Sequence, residues 1–374
     1  MPEVRSVGLE VRAHVPPGLH AVVHPGGGFV RIAITGVTGS LGAALLLELE
    51  RRGGASRIVG VSRDEVKSGD LDERWGACLP QLRCQLGDVR DAERMEELFR
   101  GCDVVVHAAA LKRVGHSVYS PGEVLKTNVL GTMAVVRAAT EVGVGRVVVV
   151  SSDKAVEPTN LYGVSKAAAE TYAVQANSYS LPRGTRVSCV RYGNVLGSRG
   201  SVPHVWRAQL ARGEAPTVTD WRMTRFIVEL RDAAAFVLGA LDAMEGGEVF
   251  VPLLPAAKLR TLLRAVAREW RDRPTSADSM RWFADASMVE TRAVVTGLRP
   301  GGEKLHESLL SREEPGRAWL DSGRGRVVVL PTHHSWRAAY DTAGFDPVGQ
   351  AYTSDAPVRW LGEDELVEML GRVP

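Results

Sequence analysis

The sequence predicts an α/β fold: a doubly wound parallel sheet with a smaller C-terminal α/β domain. Three observations predict it. Strand-like runs recur at Arg31–Ile34, Ile58–Val61, Leu82–Leu86 and Val104–His107, and from Val147 onward the run is continuously apolar, the pattern of a strand buried on both faces. Helical stretches such as Asp91–Phe99 and Gly122–Val142 separate them, as the crossovers of a parallel sheet require. A glycine-rich turn leads from the first run directly into an apolar helix, Ala43–Leu49.

Composition narrows the function classes. A chain of 374 residues makes one large or two ordinary domains. The net charge is +2 and no dense Lys/Arg patch carries interleaved aromatics, so nucleic acid is not an expected partner. No stretch reaches the apolar length of a membrane span. The four cysteines, Cys78, Cys84, Cys102 and Cys189, have no metal-ligand spacing, and no metal site is expected; they fit a reducing cytoplasm. Residues 1–29 end in Pro25-Gly26-Gly27-Gly28 and read as an extension and linker without the apolar core of a signal peptide. A dinucleotide-binding domain is expected over 30–192, its core continuing in part to about 250, and 193–374 is expected to be mainly the substrate side.

The first strand runs into Thr35-Gly36-Val37-Thr38-Gly39-Ser40-Leu41-Gly42. Glycines suit a turn whose backbone must approach a pyrophosphate closely, and the helix that follows offers its N–H groups to the same phosphate. This strand–turn–helix context makes the pattern that of a Rossmann-type fold. The second strand ends in Ser62-Arg63, with Lys67 one turn on. A hydroxyl and a guanidinium there suit a ribose 2′-phosphate and favour NADP, while Asp64 leaves NAD open. Asp88-Val89 follows the third strand, where an adenine would be met. Ala108 and Ala109 after the fourth keep the cofactor floor low, Lys112 points to the same mouth, and His107 reads as a packed core residue. The helix Gly122–Val142 carries Asn128.

The chemistry concentrates in VVVVSSDKAVEPTNLYGVSK, Val147–Lys166. The buried strand opens into Ser151-Ser152-Asp153-Lys154, polar groups that are costly at a strand end unless they are used. Tyr162 and Lys166 fall one turn apart on a helix expected to run to about Tyr179. Alone, that spacing also fits two surface residues. Beside the polar turn it suggests a phenol whose pKa is lowered by an adjacent ammonium and which takes a proton from an alcohol. The strand Arg186–Val190 leads to a glycine-rich polar loop, Arg191–Ser201. Thr219–Phe226 and Leu298–Glu307 then bring separate arginines, Arg225 and Arg299, of the kind that hold a diphosphate from two sides. Residues 271–290 read as a surface excursion, and Trp360–Leu370 as a helix with an acidic first turn.

Taken together, TGVTGSLG, SRDEVK, GDVRD, HAAALKRV, KTNVLGT, SSDKAVEPTNLYGVSK, RYGNVLGSRGSV, VTDWRMTRF, LRPGGEKLHE and YTSD resemble the UDP-N-acetylglucosamine 4,6-dehydratases of the extended short-chain dehydrogenase/reductase superfamily, in particular the inverting, pseudaminic-acid-pathway type. The resemblance implies that Asp153 and Lys154 are the acid and base, Ser152 a hydrogen-bond donor to substrate, and Tyr162 with Lys166 the redox pair. It implies that Lys112, Asn194, Val202, Met223, Arg225, Arg299 and Glu303 meet a nucleotide sugar, that the enzyme is a homo-oligomer (dimer or hexamer), and that the reaction yields a 4-keto-6-deoxy sugar. Lys154 as a base requires a pKa lowered by burial or neighbouring positive charge. Three departures fall on the substrate side: Gly115 and Val118 stand where the family has Pro and Glu, Pro203 directly follows Val202, and a glycine is added at Gly301 or Gly302. They suggest a specialised natural-product pathway. A sugar 4-epimerase or oxidoreductase of the same superfamily would need Tyr162 and Lys166 but not Asp153-Lys154. A non-catalytic dinucleotide sensor would need neither pair.

Overall fold

The computed structural model describes residues 30–112, 118–198, 200–272, 289–299, 302–332 and 340–373. Six parallel strands form its centre: β1 (Val30–Thr35), β2 (Ala55–Ser62), β3 (Leu82–Leu86), β4 (Val104–His107), β5 (Arg146–Val150) and β6 (Arg186–Val190). Their order across the sheet is β3-β2-β1-β4-β5-β6. Sequence order reverses between β1 and β4, which opens a crevice at the carboxyl ends of these strands. This is the doubly wound fold that the apolar runs predict. Every residue of β4 is buried, as are all of β1 except Arg31, so helices cover both faces.

The sheet continues past β6. Val249–Pro252 adds a further parallel strand, and Arg326–Val329, Ala318–Asp321 and Asp346–Pro347 extend the edge antiparallel, giving ten strands in all. Much of the C-terminal third therefore completes the main sheet. A second, smaller apolar cluster lies among the helices Val202–Ala211, Leu259–Arg271 and Glu363–Gly371, where Trp206, Leu263, Val266, Leu366 and Leu370 are buried. It forms the smaller lobe beside the crevice.

Some elements differ from expectation. The first helix spans Ser40–Arg52. The expected helix Gly122–Val142 is divided into Pro121–Leu125, a wide π-type turn Lys126–Leu130 and Gly131–Glu141. The turn presents Asn128, whose side chain accepts from Leu111 N at 2.8 Å and donates to Leu111 O and Ser165 Oγ, each at 3.0 Å; such turns often mark functional sites. The tyrosine-bearing helix, Leu161–Gln175, is capped by Asn160, which accepts from Gly163 N at 2.9 Å. Most of the expected surface excursion, 273–288, lies outside the described residues, as do the departures at Gly115 and Gly301. Among the described residues no helix is long and apolar enough to cross a membrane, and no cluster of metal-ligating side chains occurs.

Candidate active site

A cleft of about 850 Å³ opens at the carboxyl ends of the parallel strands. Its first wall is the turn after β1. Gly36 sits at φ +72°, and a Cβ there would lie 2.9 Å from the backbone of Ala109, so only glycine fits between the two turns. Gly39 precedes the helix Ser40–Arg52, and no side chain caps that helix. Gly36, Thr38, Gly39, Ser40, Leu41 and Gly42 all line the cleft. An uncapped helix start with a glycine approach suits a phosphate, and the cleft has the size of a cofactor site.

The second wall tests the ribose reading. Ser62 and Arg63 line the cleft. Ser62 Oγ bonds Thr38 Oγ1 at 3.0 Å, and Arg63 Nη1 lies 3.7 Å from Asp88 Oδ2. Lys67 does not line the cleft; its ammonium is drawn onto Asp64. Asp88 is held by Arg90 at 2.6 Å, which keeps its carboxyl below the usual range. Val89, Ala108, Ala109 and Lys112 line the floor as expected. His107 is fully packed, bonded to Thr35 Oγ1 at 2.8 Å and Thr132 Oγ1 at 3.0 Å; burial and then Lys166 lower its pKa to about 3, so it stays neutral.

The third wall is the turn after β5. Ser152, Lys154, Tyr162, Lys166 and Asn194 meet there. Asp153 is buried beneath them with no exposed surface. Ser152 Oγ donates to Asp153 Oδ1 at 2.7 Å, and Lys154 Nζ donates to the same oxygen at 3.0 Å. Asp153 Oδ2 is buried without a hydrogen-bond partner. Burial raises the Asp153 pKa against the pull of Lys154.

Two electrostatic expectations are corrected. Burial pulls the Lys154 pKa down, but Asp153 and Glu307 outweigh it and leave the amine above its ordinary value. Lys154 therefore rests as an ammonium; the sequence shows its aspartate neighbour but not Glu307, 3.3 Å away. Tyr162 is likewise raised: burial dominates, and the ammonium that pulls the phenol down is that of Lys154. Lys166 instead donates from Nζ to Val150 O at 2.5 Å, and burial lowers its pKa to about 8. One helical turn brings Lys166 to the cleft but turns its charge toward the strand end.

The sugar-side residues divide. Asn194 lines the cleft with its Oδ1 buried and without a hydrogen-bond partner, a group suited to a ligand. Met223 is a core residue at 1% exposure, its sulfur accepting from Thr219 and Arg225. Val202 starts its helix and packs on the second cluster, away from the cleft. Arg225 and Arg299 do converge, but on Glu303: Arg225 Nη2 lies 3.5 Å from Glu303 Oε1, and Arg299 Nε 3.9 Å from Glu303 Oε2. The Arg225 guanidinium also donates to the carbonyls of Thr224, Lys304 and Leu305. In this state it braces the 302–307 segment. An apolar neighbour pattern gives Met223 its burial, and a sequence motif alone cannot separate a ligand-facing side chain from the packing behind it.

Sequence reasoning passed over Glu307. LRPGGEKLHE was read for Arg299 and Glu303; the available signal was a second carboxylate four residues on, in a segment already rich in charge.

Known proteins resemble the chain over most of its length. The family model described as "Polysaccharide biosynthesis protein" matches residues 32–320. A UDP-N-acetylglucosamine 4,6-dehydratase (inverting) of Campylobacter jejuni subsp. jejuni is 35% identical over 347 residues, covering 91% of this chain and 96% of that protein. A UDP-glucose 4-epimerase of Rickettsia massiliae is 38% identical over 290 residues, 77% of this chain and 79% of that protein. The X-ray structure of Pen from Bacillus thuringiensis superposes with a TM-score of 0.78 at 28% identity, covering 92% of this chain and 97% of that one.

Proposed function

The chain belongs to the UDP-N-acetylglucosamine 4,6-dehydratase family of the extended short-chain dehydrogenases/reductases, and from that membership we propose that it is an NADP-dependent nucleotide-sugar 4,6-dehydratase acting on a UDP-GlcNAc-like substrate. The observation that carries this reading is the Asp153–Lys154 contact of 3.0 Å at the mouth of the cleft that Tyr162 lines. Oxidation and reduction at C4 alone need only the tyrosine. A paired acid and amine beside it are what loss of water requires.

A nicotinamide dinucleotide, when bound, supplies reversible two-electron oxidation of the sugar carbon. Gly36, Thr38, Gly39, Ser40, Leu41 and Gly42 would hold its pyrophosphate, Ser62 and Arg63 its ribose phosphate, and Asp88 and Val89 its adenine, with Ala108, Ala109 and Lys166 at the nicotinamide end. Tyr162, in its phenolate form, takes the proton of the C4 hydroxyl; Lys154 and Ser152 pull the phenol toward that form against the burial that raises it. The C4 ketone then acidifies the C5 hydrogen. Asp153 and Lys154 share one proton across 3.0 Å; when it sits on Asp153, a form that burial of the carboxylate favours, the carboxyl gives it to the departing C6 hydroxyl and Lys154, then an amine, takes the proton from C5. C6 is reduced and C5 is reprotonated, with inversion at C5 as in the inverting relative. Asn194 and Lys112 meet the sugar. Arg225 and Arg299 hold the diphosphate once Glu303 yields to it, with the Met223 sulfur accepting from Arg225 at 3.3 Å. Residues 193–374 thus serve mainly the nucleotide sugar.

We place the enzyme in the cytoplasm, in keeping with its unpaired thiols, and read it as a homo-oligomer. Tyr119 is 89% exposed, and Leu125, Leu130 and Val164 also stand exposed along the helices beside the cleft, a surface suited to a second copy.

The 38% identity to an epimerase favours one alternative, a nucleotide-sugar 4-epimerase. A panel of nucleotide sugars incubated in deuterated water separates the two. A dehydratase forms a product lacking one water and carrying deuterium at C5. Lys154→Ala should abolish that product, whereas an epimerase would keep most of its activity.

A further inference from the structure

Lys154 lies between two carboxylates. Asp153 is its sequence neighbour; Glu307 arrives from the far end of the chain, with Oε1 3.3 Å from Lys154 Nζ. Glu307 is 3% exposed, and its Oε2 is buried without a hydrogen-bond partner. An isolated buried carboxylate would be costly, so its placement needs a reason.

The chain holds Glu307 there firmly. Its N–H donates to Ser354 Oγ at 2.8 Å, and its carbonyl accepts from Ser354 N at 2.8 Å. Ser354 belongs to the YTSD segment and has no exposed surface. The strand Ser308–Leu310 pairs with Tyr352–Thr353, which carries Glu307 to the turn after β5. Lys304, three residues earlier, donates to Val156 O on that turn. Two separate C-terminal segments thus converge to aim one carboxylate at one amine.

We propose that Glu307 is the positioning residue of the acid–base pair: it fixes Lys154 Nζ against Asp153 and stabilises the ammonium that Lys154 becomes on taking a proton from the sugar. The arrangement has the logic of a base oriented by a third group. When the amine lone pair takes the C5 proton, the C–H electron pair passes into the enolate of the C4 ketone, and a positive charge appears on Nζ. Glu307 meets that charge at its site of formation without reorganisation. The same carboxylate favours the proton on Lys154 at rest, in keeping with the raised Lys154 pKa, and the amine forms when that proton passes to Asp153, 3.0 Å away.

The charged and titratable groups facing Lys154 are Asp153 on its own turn, Tyr162 on the helix Leu161–Gln175, Arg225 on the strand Thr224–Val228, and Lys304 and Glu307 on the C-terminal segment. Arg225 and Lys304 also lie near Glu307, at 3.9 and 3.7 Å. They keep its carboxyl ionised despite burial, together with Lys154. Removing Glu307 therefore leaves Lys154 with one carboxylate and two nearby cations.

The proposal deepens the dehydratase reading, and its test separates the two. In enzyme labelled with ¹³C at lysine Cε, the Lys154 signal, assigned by Lys154→Arg, is titrated with no substrate present. Glu307→Gln should move the titration of Lys154 down by about one pH unit or more. With a nucleotide sugar, the same variant should lose turnover by roughly tenfold or more while KM holds, and the pH limb set by Lys154 should move the same way. Glu307→Asp should recover part of both, and it carries the titration test should the Gln variant not fold. An unchanged Lys154 titration in Glu307→Gln overturns the proposal, whatever the turnover. Absence of turnover by the wild type on every sugar tried would sink the dehydratase reading instead, with the titration still deciding the role of Glu307.

Discussion

Asn160, the cap of the helix that carries Tyr162, donates from Nδ2 to the carbonyl of Gly302 at 3.1 Å. This bond ties the segment that ends in Glu307 to the start of the tyrosine helix. Lys304 adds a second tie, to Val156 O. The turn after β5, the tyrosine helix and the 302–307 segment are therefore tied to one another, and the glycine in that segment is what allows the close approach.

Gly302 has φ +97°, and a Cβ there would overlap the backbone carbonyl of Thr159. Gly302→Ala must lift the loop from the helix start or accept strain of about 1–3 kcal/mol. Expected is a fall in turnover larger than the fall in stability, because displacement reaches Lys304 and Glu307 directly. Urea denaturation beside steady-state kinetics measures both. A variant with full activity and an unchanged midpoint would show that the loop does not depend on this contact.

Lys166 gives a pH prediction with a definite sign. Burial lowers its pKa from 10.5 to about 8. Between those values the unfolded chain binds more protons than the folded one at this site, so its contribution to stability rises with pH. Below about pH 8 the folded state bears the full cost of holding an ammonium away from water, about 3 kcal/mol. Lys166→Met removes the titration. The stability of wild type relative to this variant should therefore improve as pH rises from 8 to 10.5 and stay level below that range. Denaturant midpoints of the two proteins across that range check it; a constant difference would mean that Lys166 titrates normally.

The fold was legible because its signals are local. Apolar runs such as Val104–His107 and Val147–Val150 end where the strands end, since burial on both faces leaves little room for polar residues. The turn from Gly36 to Gly42 was legible for the same reason, as was the placing of Tyr162 and Lys166 one turn apart at the cleft, though not the direction in which the Lys166 ammonium points. The state of the charges was not. Asp153 is adjacent to Lys154 in sequence, but Glu307 reaches it only through pairing of Ser308–Leu310 with Tyr352–Thr353, a contact that no spacing encodes. Met223 and Arg225 stand in one motif, yet one is core and the other brace, because burial is decided by what packs from elsewhere in the chain.

On the proposed NADP reading, Arg63 is the residue that would meet the 2′-phosphate. Its side chain is half exposed at the cleft edge and only 3.7 Å from Asp88, a loose pair that a ribose phosphate can displace. Lys67 is already committed to Asp64. Arg63→Ala should weaken NADP binding by about tenfold to a hundredfold, the value of one charge-assisted contact, and leave NAD binding almost unchanged. Titration of both dinucleotides by calorimetry measures it. Equal losses for the two would mean that Arg63 reads no 2′-phosphate and that NAD is the working cofactor.

Arg191 is the buried link between the tyrosine helix and the C-terminal edge. Its Nη2 lies 2.5 Å from Glu170 on the helix Leu161–Gln175 and 2.8 Å from Glu314 beyond the strand Ser308–Leu310, and its Nη1 donates to Leu309 O at 3.0 Å. Arg191→Met would leave Glu170 buried without its cation and Glu314 with only Arg317, 3.3 Å away, a loss of about 3–5 kcal/mol. The triple variant with Glu170→Gln and Glu314→Gln should recover much of that loss, because the uncompensated charges go with their partner. The pH dependence carries its own sign. Burial pushes the Glu314 carboxyl up, but Arg191 brings it below its ordinary value, so its contribution is present above the normal carboxylate range and fades as pH falls through it. The stability gap between wild type and Arg191→Met should therefore close on acidification. Urea midpoints on both sides of that range decide the matter: a gap that persists in acid would mean that Arg191 holds the helix by packing rather than by charge.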